Sequence, residues 1–173
     1  MRTPNPPCCV VGKLFFLFLI GLIGIVPVSR AAAVISELMA SNSGSLKDED
    51  GDSSDWIEIH NDGASAIDLT GWHLSDSTNN LAKWTFPATN LPPDGYLIIF
   101  ASDKNRAVTG GELHTNFKLS GGGDFLALVQ ADGTTVASSF SPAYPRQRDN
   151  VSYGLTRDNF VTPLISAGAT ARL

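Results

Sequence analysis

Between Asp55 and Ser102 the chain reads DWIEIHN, IDLTGWHLSDS and KWTFPATNLPPDGYLIIFAS. Apolar and polar residues alternate in short runs, and alternation places every second side chain on the same face of a strand. The runs are separated by Asn61-Asp62-Gly63, Thr70-Gly71 and Pro92-Pro93-Asp94-Gly95. Turn signals this close together leave no length for helices and predict an antiparallel β-sandwich. Strands are expected at Val34–Ala40, Trp56–Asn61, Ala66–Leu69, Trp72–Ser75, Lys83–Phe86, Tyr96–Ala101, Phe117–Leu119, Phe125–Gln130 and Thr134–Phe140. Asn61-Asp62-Gly63 and Ala131-Asp132-Gly133 offer the positive φ of hairpin turns, and Gly121-Gly122-Gly123 suits a tight turn or bulge. In DWIEIHN, alternation sends Ile57 and Ile59 to one face, expected to be the core, and Trp56 and Glu58 to the other.

Residues 1–33 have a different character. Arg2 and Lys13 precede an apolar run of 15 residues, Leu14–Val28, which is followed by Ala31-Ala32-Ala33. This is the pattern of a secretory signal peptide whose apolar helix is cleaved after Ala33, and the run falls short of the roughly 20 residues that span a bilayer. Cys8 and Cys9 lie inside this leader, so the chain after it has no thiol for a disulfide or metal site. The expected organisation is a leader at 1–33, a β-sandwich at 34–141 and a Pro-containing C-terminal segment or linker at 142–173. The expected location is outside the cell or in its envelope.

All 17 acids and nine of the 12 basic residues follow position 33, for a net charge of −8. A chain this acidic has no footprint for phosphate, which argues against nucleic acid and against an anionic membrane surface. Seven of the acids fall between Asp48 and Asp62. In LKDEDGDSSDWIE, Asp48, Asp50, Asp52 and Asp55 surround Gly51 and are the candidate ligands for calcium, which seeks several carboxylate oxygens in one small volume. The helix–loop–helix calcium template does not apply: counted from Asp48, its sixth position holds Ser53 instead of Gly and its twelfth Ile59 instead of Glu. The alternative is a solvated turn.

His60, His73 and His114 are too far apart for a zinc motif, although His60 and His73 would be cross-strand neighbours if their strands paired. No G-x-S-x-G elbow, catalytic cysteine or phosphate-binding glycine loop is present, so catalysis is not expected. Trp56, Trp72 and Trp84 are read as core or rim packing, or as a flat platform for sugars if exposed. Asn150-Val151-Ser152 fits the glycosylation pattern.

VISELMASNSG, DWIEIHNDGASAIDLTGWHLSDS, KWTFPATNLPPDGYLIIFAS and GGGDFLALVQADGTTVASSF occur in an order that resembles the lamin tail domain, over about residues 34–140. The accompanying LHTNFKLS, FSPAYPRQ and NVSYG look like its bacterial secreted branch. The resemblance implies an immunoglobulin-like sandwich with no catalytic residue and no required cofactor. It also implies an interaction or spacer role toward a protein or polysaccharide at the cell surface. The alternative role is an N-terminal accessory module of a truncated secreted hydrolase, or a carbohydrate-binding surface protein.

Overall fold

The structure, a computed structural model, describes residues 33–155. Residues 1–32, the expected leader except Ala33, and the last eighteen residues lie outside the described residues. Among the described residues eleven strands follow in chain order: β1 (Ala33–Met39), β2 (Asp55–Asn61), β3 (Ile67–Asp68), β4 (His73–Ser75), β5 (Trp84–Thr85), β6 (Asn90–Leu91), β7 (Tyr96–Ala101), β8 (Leu113–His114), β9 (Leu126–Val129), β10 (Val136–Phe140) and β11 (Tyr153–Gly154). One sheet has the order β11-β1-β2-β7-β8, a second β10-β9-β4-β5, and β3 pairs with β6 in a small ribbon. All pairings are antiparallel except β7 with β8, which is parallel. The purely antiparallel expectation is corrected at that one edge.

The core lies between the two larger sheets. Leu38, Ile57, Ile99 and Leu113 form one row across β1, β2, β7 and β8, and face Leu74, Trp84, Leu126 and Leu128 of the second sheet within one buried cluster. Ile35 and Leu38 are three residues apart and should point to opposite faces of a regular strand. A bulge between Ile35 and Glu37 inserts one residue and turns both inward. Ile57 and Ile59 face this core, whereas Trp56 joins Met39 and Phe100 in a separate cluster on the outer face. The expected faces of β2 are therefore the observed ones.

Two expectations about local chain course need correction. Asn61-Asp62-Gly63 is not a hairpin turn, because β2 is already paired on both sides, with β1 and β7. Asn61 is buried and its side chain folds the turn instead: Oδ1 accepts the Gly63 amide, while Nδ2 donates to the carbonyls of Ser65, Leu91 and Pro92. Phe117–Leu119 is not a strand either. Phe117 and Leu119 bury their side chains as alternation requires, yet the Phe117 carbonyl accepts from Asp103 N and Thr115 Oγ1, and only Lys118 bridges to Ser102. The ladder position beside β7 is taken by β8. The other expected turns are present: Gly95 N donates to the Pro92 carbonyl with Asp94 at φ 54°, and Gly133 N donates to the Gln130 carbonyl at φ 71°.

The segment after Ser141, expected as a Pro-containing C-terminal segment or linker, packs against the sandwich as far as Leu155. Tyr144 is 2% exposed, and its hydroxyl accepts from Ser120 N and donates to the Ser120 carbonyl. It closes over the glycine turn, where Gly123 has φ 93° and a Cβ would clash with the Tyr144 carbonyl oxygen. Burial pushes the phenol up to about 12. Tyr144→Phe keeps the ring but strips the Ser120 backbone of both partners. It is expected to cost about 1–2 kcal/mol by chemical denaturation and to speed amide exchange at Ser120. Unchanged stability would mean that the ring alone holds the segment.

Candidate functional site

A cluster of ion pairs lies where the loop joining β1 to β2 meets the loop joining β7 to β8. Each loop is tied down by its own side chains. Asn42 is buried: Nδ2 donates to the carbonyls of Leu46 and Ser54, and Oδ1 accepts from the amides of Gly44 and Ser45. Asp48 is the hub of the acidic turn. Its Oδ1 accepts from the amides of Asp50 and Asp52, and its Oδ2 accepts from Ser54 Oγ at 2.7 Å. Gly51, at φ 83°, allows the reversal that brings these amides back to one carboxylate.

Of the four candidate calcium ligands, Asp48, Asp50 and Asp52 are brought together. Lys104 Nζ sits between them, 2.7 Å from Asp48 Oδ2, 2.6 Å from Asp50 Oδ2 and 2.9 Å from Asp52 Oδ2. An ammonium of this chain thus takes the place a bound cation would occupy. Asp55 stands apart from the trio, and its Oδ1 accepts from Asn42 N. Burial raises the Asp55 carboxyl above its ordinary range despite that bond. At Asp48 burial also acts upward, but the bonds from Lys104, Ser54 and Asp52 outweigh it and hold the carboxyl at about 2. The three carboxylates in turn raise Lys104, which therefore stays charged.

Arg106 extends the clasp, with Nη1 on Glu49 Oε1 at 2.8 Å and Nη2 on Asp50 Oδ2 at 2.6 Å. Behind it lies His114 on β8, fully buried, stacked on Phe100 with 5.4 Å between ring centroids. Its Nδ1 is 2.9 Å from Ser102 Oγ, and its Nε2 is 3.8 Å from Glu112 Oε2. Glu49 N donates to that same Glu112 oxygen at 2.6 Å. A polar cleft of about 340 Å³ opens beside the clasp, lined in part by Asp52, Asp55, Ser102, Lys104 and Lys118.

Sequence reasoning weighed His114 only against the distant His60 and His73, and passed over Glu112 and Lys104. Glu112 and His114 are two apart, the spacing that puts side chains on one face of a strand, and that was the available signal. Lys104 carried none, since its partners lie more than fifty residues earlier. Ser102, His114 and Glu112 have the residue types of a hydrolytic triad. Here, however, the imidazole is fully buried and Ser102 Oγ accepts from Lys104 N, so the group braces the β7–β8 loop.

The other histidines are dispersed. His60 and His73 belong to different sheets and are not neighbours. His60 bonds Asp94 and stacks on Tyr96, whereas His73 meets Thr85 Oγ1. Trp56 and Trp84 are buried and Trp72 packs against the core, so the tryptophans offer no flat sugar platform. Asn150 joins the loops: its Oδ1 accepts from Ser43 N and its Nδ2 donates to Ser43 Oγ.

Fold and site together define an all-β module of immunoglobulin-like build, with its polar side chains spent on bracing loops. The family model described as Lamin Tail Domain matches residues 28–142, and the chain belongs to that family. The family is one of non-enzymatic domains. Among curated proteins, no sequence matches this chain.

Proposed function

We propose that the chain is an exported interaction module that binds a protein partner at or outside the cell surface. Export rests on the leader pattern of Arg2, Lys13, the apolar run Leu14–Val28 and Ala31–Ala33. The observation that carries the binding half is the edge strand β11. Tyr153 on it and Val151 and Leu155 flanking it are exposed, although they are apolar, and Tyr153 packs edge-on against Phe140. β11 ends the first sheet, so its outer hydrogen-bonding groups face no further strand among the described residues. Such an edge accepts an extended protein segment by strand addition, with alternate side chains giving specificity. The burial of Trp56 and Trp84 favours a protein over a polysaccharide.

A photoreactive aromatic residue placed at Tyr153 is expected to give a discrete protein adduct on the exporting cell. The same residue at Thr109, exposed on the β7–β8 loop, is expected to give none. Equal adducts at both positions, or none at 153, would sink the edge assignment. Retention of the protein in the cytoplasm would sink the export.

A further inference from the structure

Beyond the lysine-filled trio, a second group of ligand atoms converges on the same side of the sheet. Glu49, Glu112 and His114 each offer one atom, and these atoms lie within 4.8 Å of one another. We propose that they form a binding site for a divalent cation that accepts nitrogen as well as oxygen, with zinc as the representative ion.

The acidic pair alone would carry nothing, and His114 makes the difference. Its side chain is fully buried, yet Nε2 has no hydrogen-bond partner and is directed toward Glu112. A buried polar atom left without a partner is costly, and a native fold normally satisfies it. A bound cation does so. The other ring nitrogen has the partner that a ligating histidine requires: with Nδ1–H donating to Ser102 Oγ, the lone pair resides on Nε2 and the ring is held in orientation.

The distances fit a modest closure. Zinc bonds of about 2.0–2.1 Å to nitrogen and oxygen in a tetrahedron put ligand atoms about 3.3 Å apart, so Nε2 and Glu112 Oε2 at 3.8 Å need move little. Arg106 occupies only Oε1 of Glu49 and leaves the second oxygen for the ion. Charge also permits a dication. Asp48, Glu49, Asp50, Asp52 and Glu112 face only Lys104 and Arg106, which leaves three negative charges in the cluster. Glu49 and Glu112 are partly exposed and form the mouth, whereas His114 is the inner ligand. The imidazole nitrogen selects against calcium, which prefers six to eight oxygens.

The test uses the full chain carrying Cys8→Ser and Cys9→Ser, so that leader thiols contribute nothing. Calorimetric titration with zinc is expected to show one equivalent bound, and cobalt is expected to give the visible absorption of a tetrahedral site. His114 supports the core, so the diagnostic changes fall on the exposed ligands. Glu112→Gln retains an acceptor for Glu49 N, and Glu49→Gln retains the loop. Each is expected to weaken zinc at least tenfold. In nitrogen NMR, zinc should move the His114 Nε2 resonance and leave His60 and His73 in place. No saturable binding at millimolar zinc, parent-like binding in either variant, or an unmoved His114 resonance would overturn the site.

Discussion

Ile59→Ala is expected to lower unfolding stability by about 3–5 kcal/mol. Ile59 is fully buried in the main core and sits in register with Ile35 on β1 and Leu97 on β7. Truncation removes three carbons from a region held by ladders on both sides, so the walls cannot collapse to fill the space. Against a typical domain total of about 5–15 kcal/mol, that is a large share. Urea denaturation at neutral pH measures it. Glu58→Ala, on the opposite face of the same strand, should cost under about 1 kcal/mol. A loss at Ile59 below about 0.5 kcal/mol would mean that β2 does not carry the inter-sheet contact.

Lys104→Met should cost about 2–3 kcal/mol. Methionine keeps much of the stem but removes the charge between Asp48, Asp50 and Asp52. Asp48's side chain has no solvent exposure, and Lys104's is 20% exposed. The expected loss therefore lies between that of a surface pair, about 0–1 kcal/mol, and that of a broken buried pair, about 3–5. The pH dependence has a definite sign. Asp48 is depressed from 3.8 to about 2, so its contribution is present above the unfolded value and is lost as pH falls through the folded one. The gap between wild type and variant should therefore close as pH falls from about 4 to about 2. Calcium probes the same space: at millimolar concentration it should raise the melting temperature of the variant more than that of wild type, since only the variant lacks the ammonium between the three carboxylates. An equal gain in both would show that Lys104 does not occupy the ion position.

Much of the fold was legible in the residues because its rules are local. Alternation in DWIEIHN fixed the inward face of β2, since a strand has a period of two. Pro92-Pro93-Asp94-Gly95 fixed a turn, since proline presets φ and Asp94 and Gly95 accept the rest. Two-residue strands were legible only where a longer alternating run surrounded them, as at β3 and β5; β6, β8 and β11 had no such run, and Phe117–Leu119 gave a false one.

The site divides along the same line. The sequence by itself determined that acids crowd around Gly51 and that the chain after the leader has no thiol. It also carried the motifs of the lamin tail domain family, to which the chain belongs. Only the tertiary structure decided what those acids meet. Asp48, Asp50 and Asp52 are clasped by Lys104, and Glu49 and Glu112 converge beside His114, because the parallel pairing of β8 on β7 swings the 102–112 loop across the sheet edge. Charge pairing across more than fifty residues depends on chain topology, and no local period encodes it.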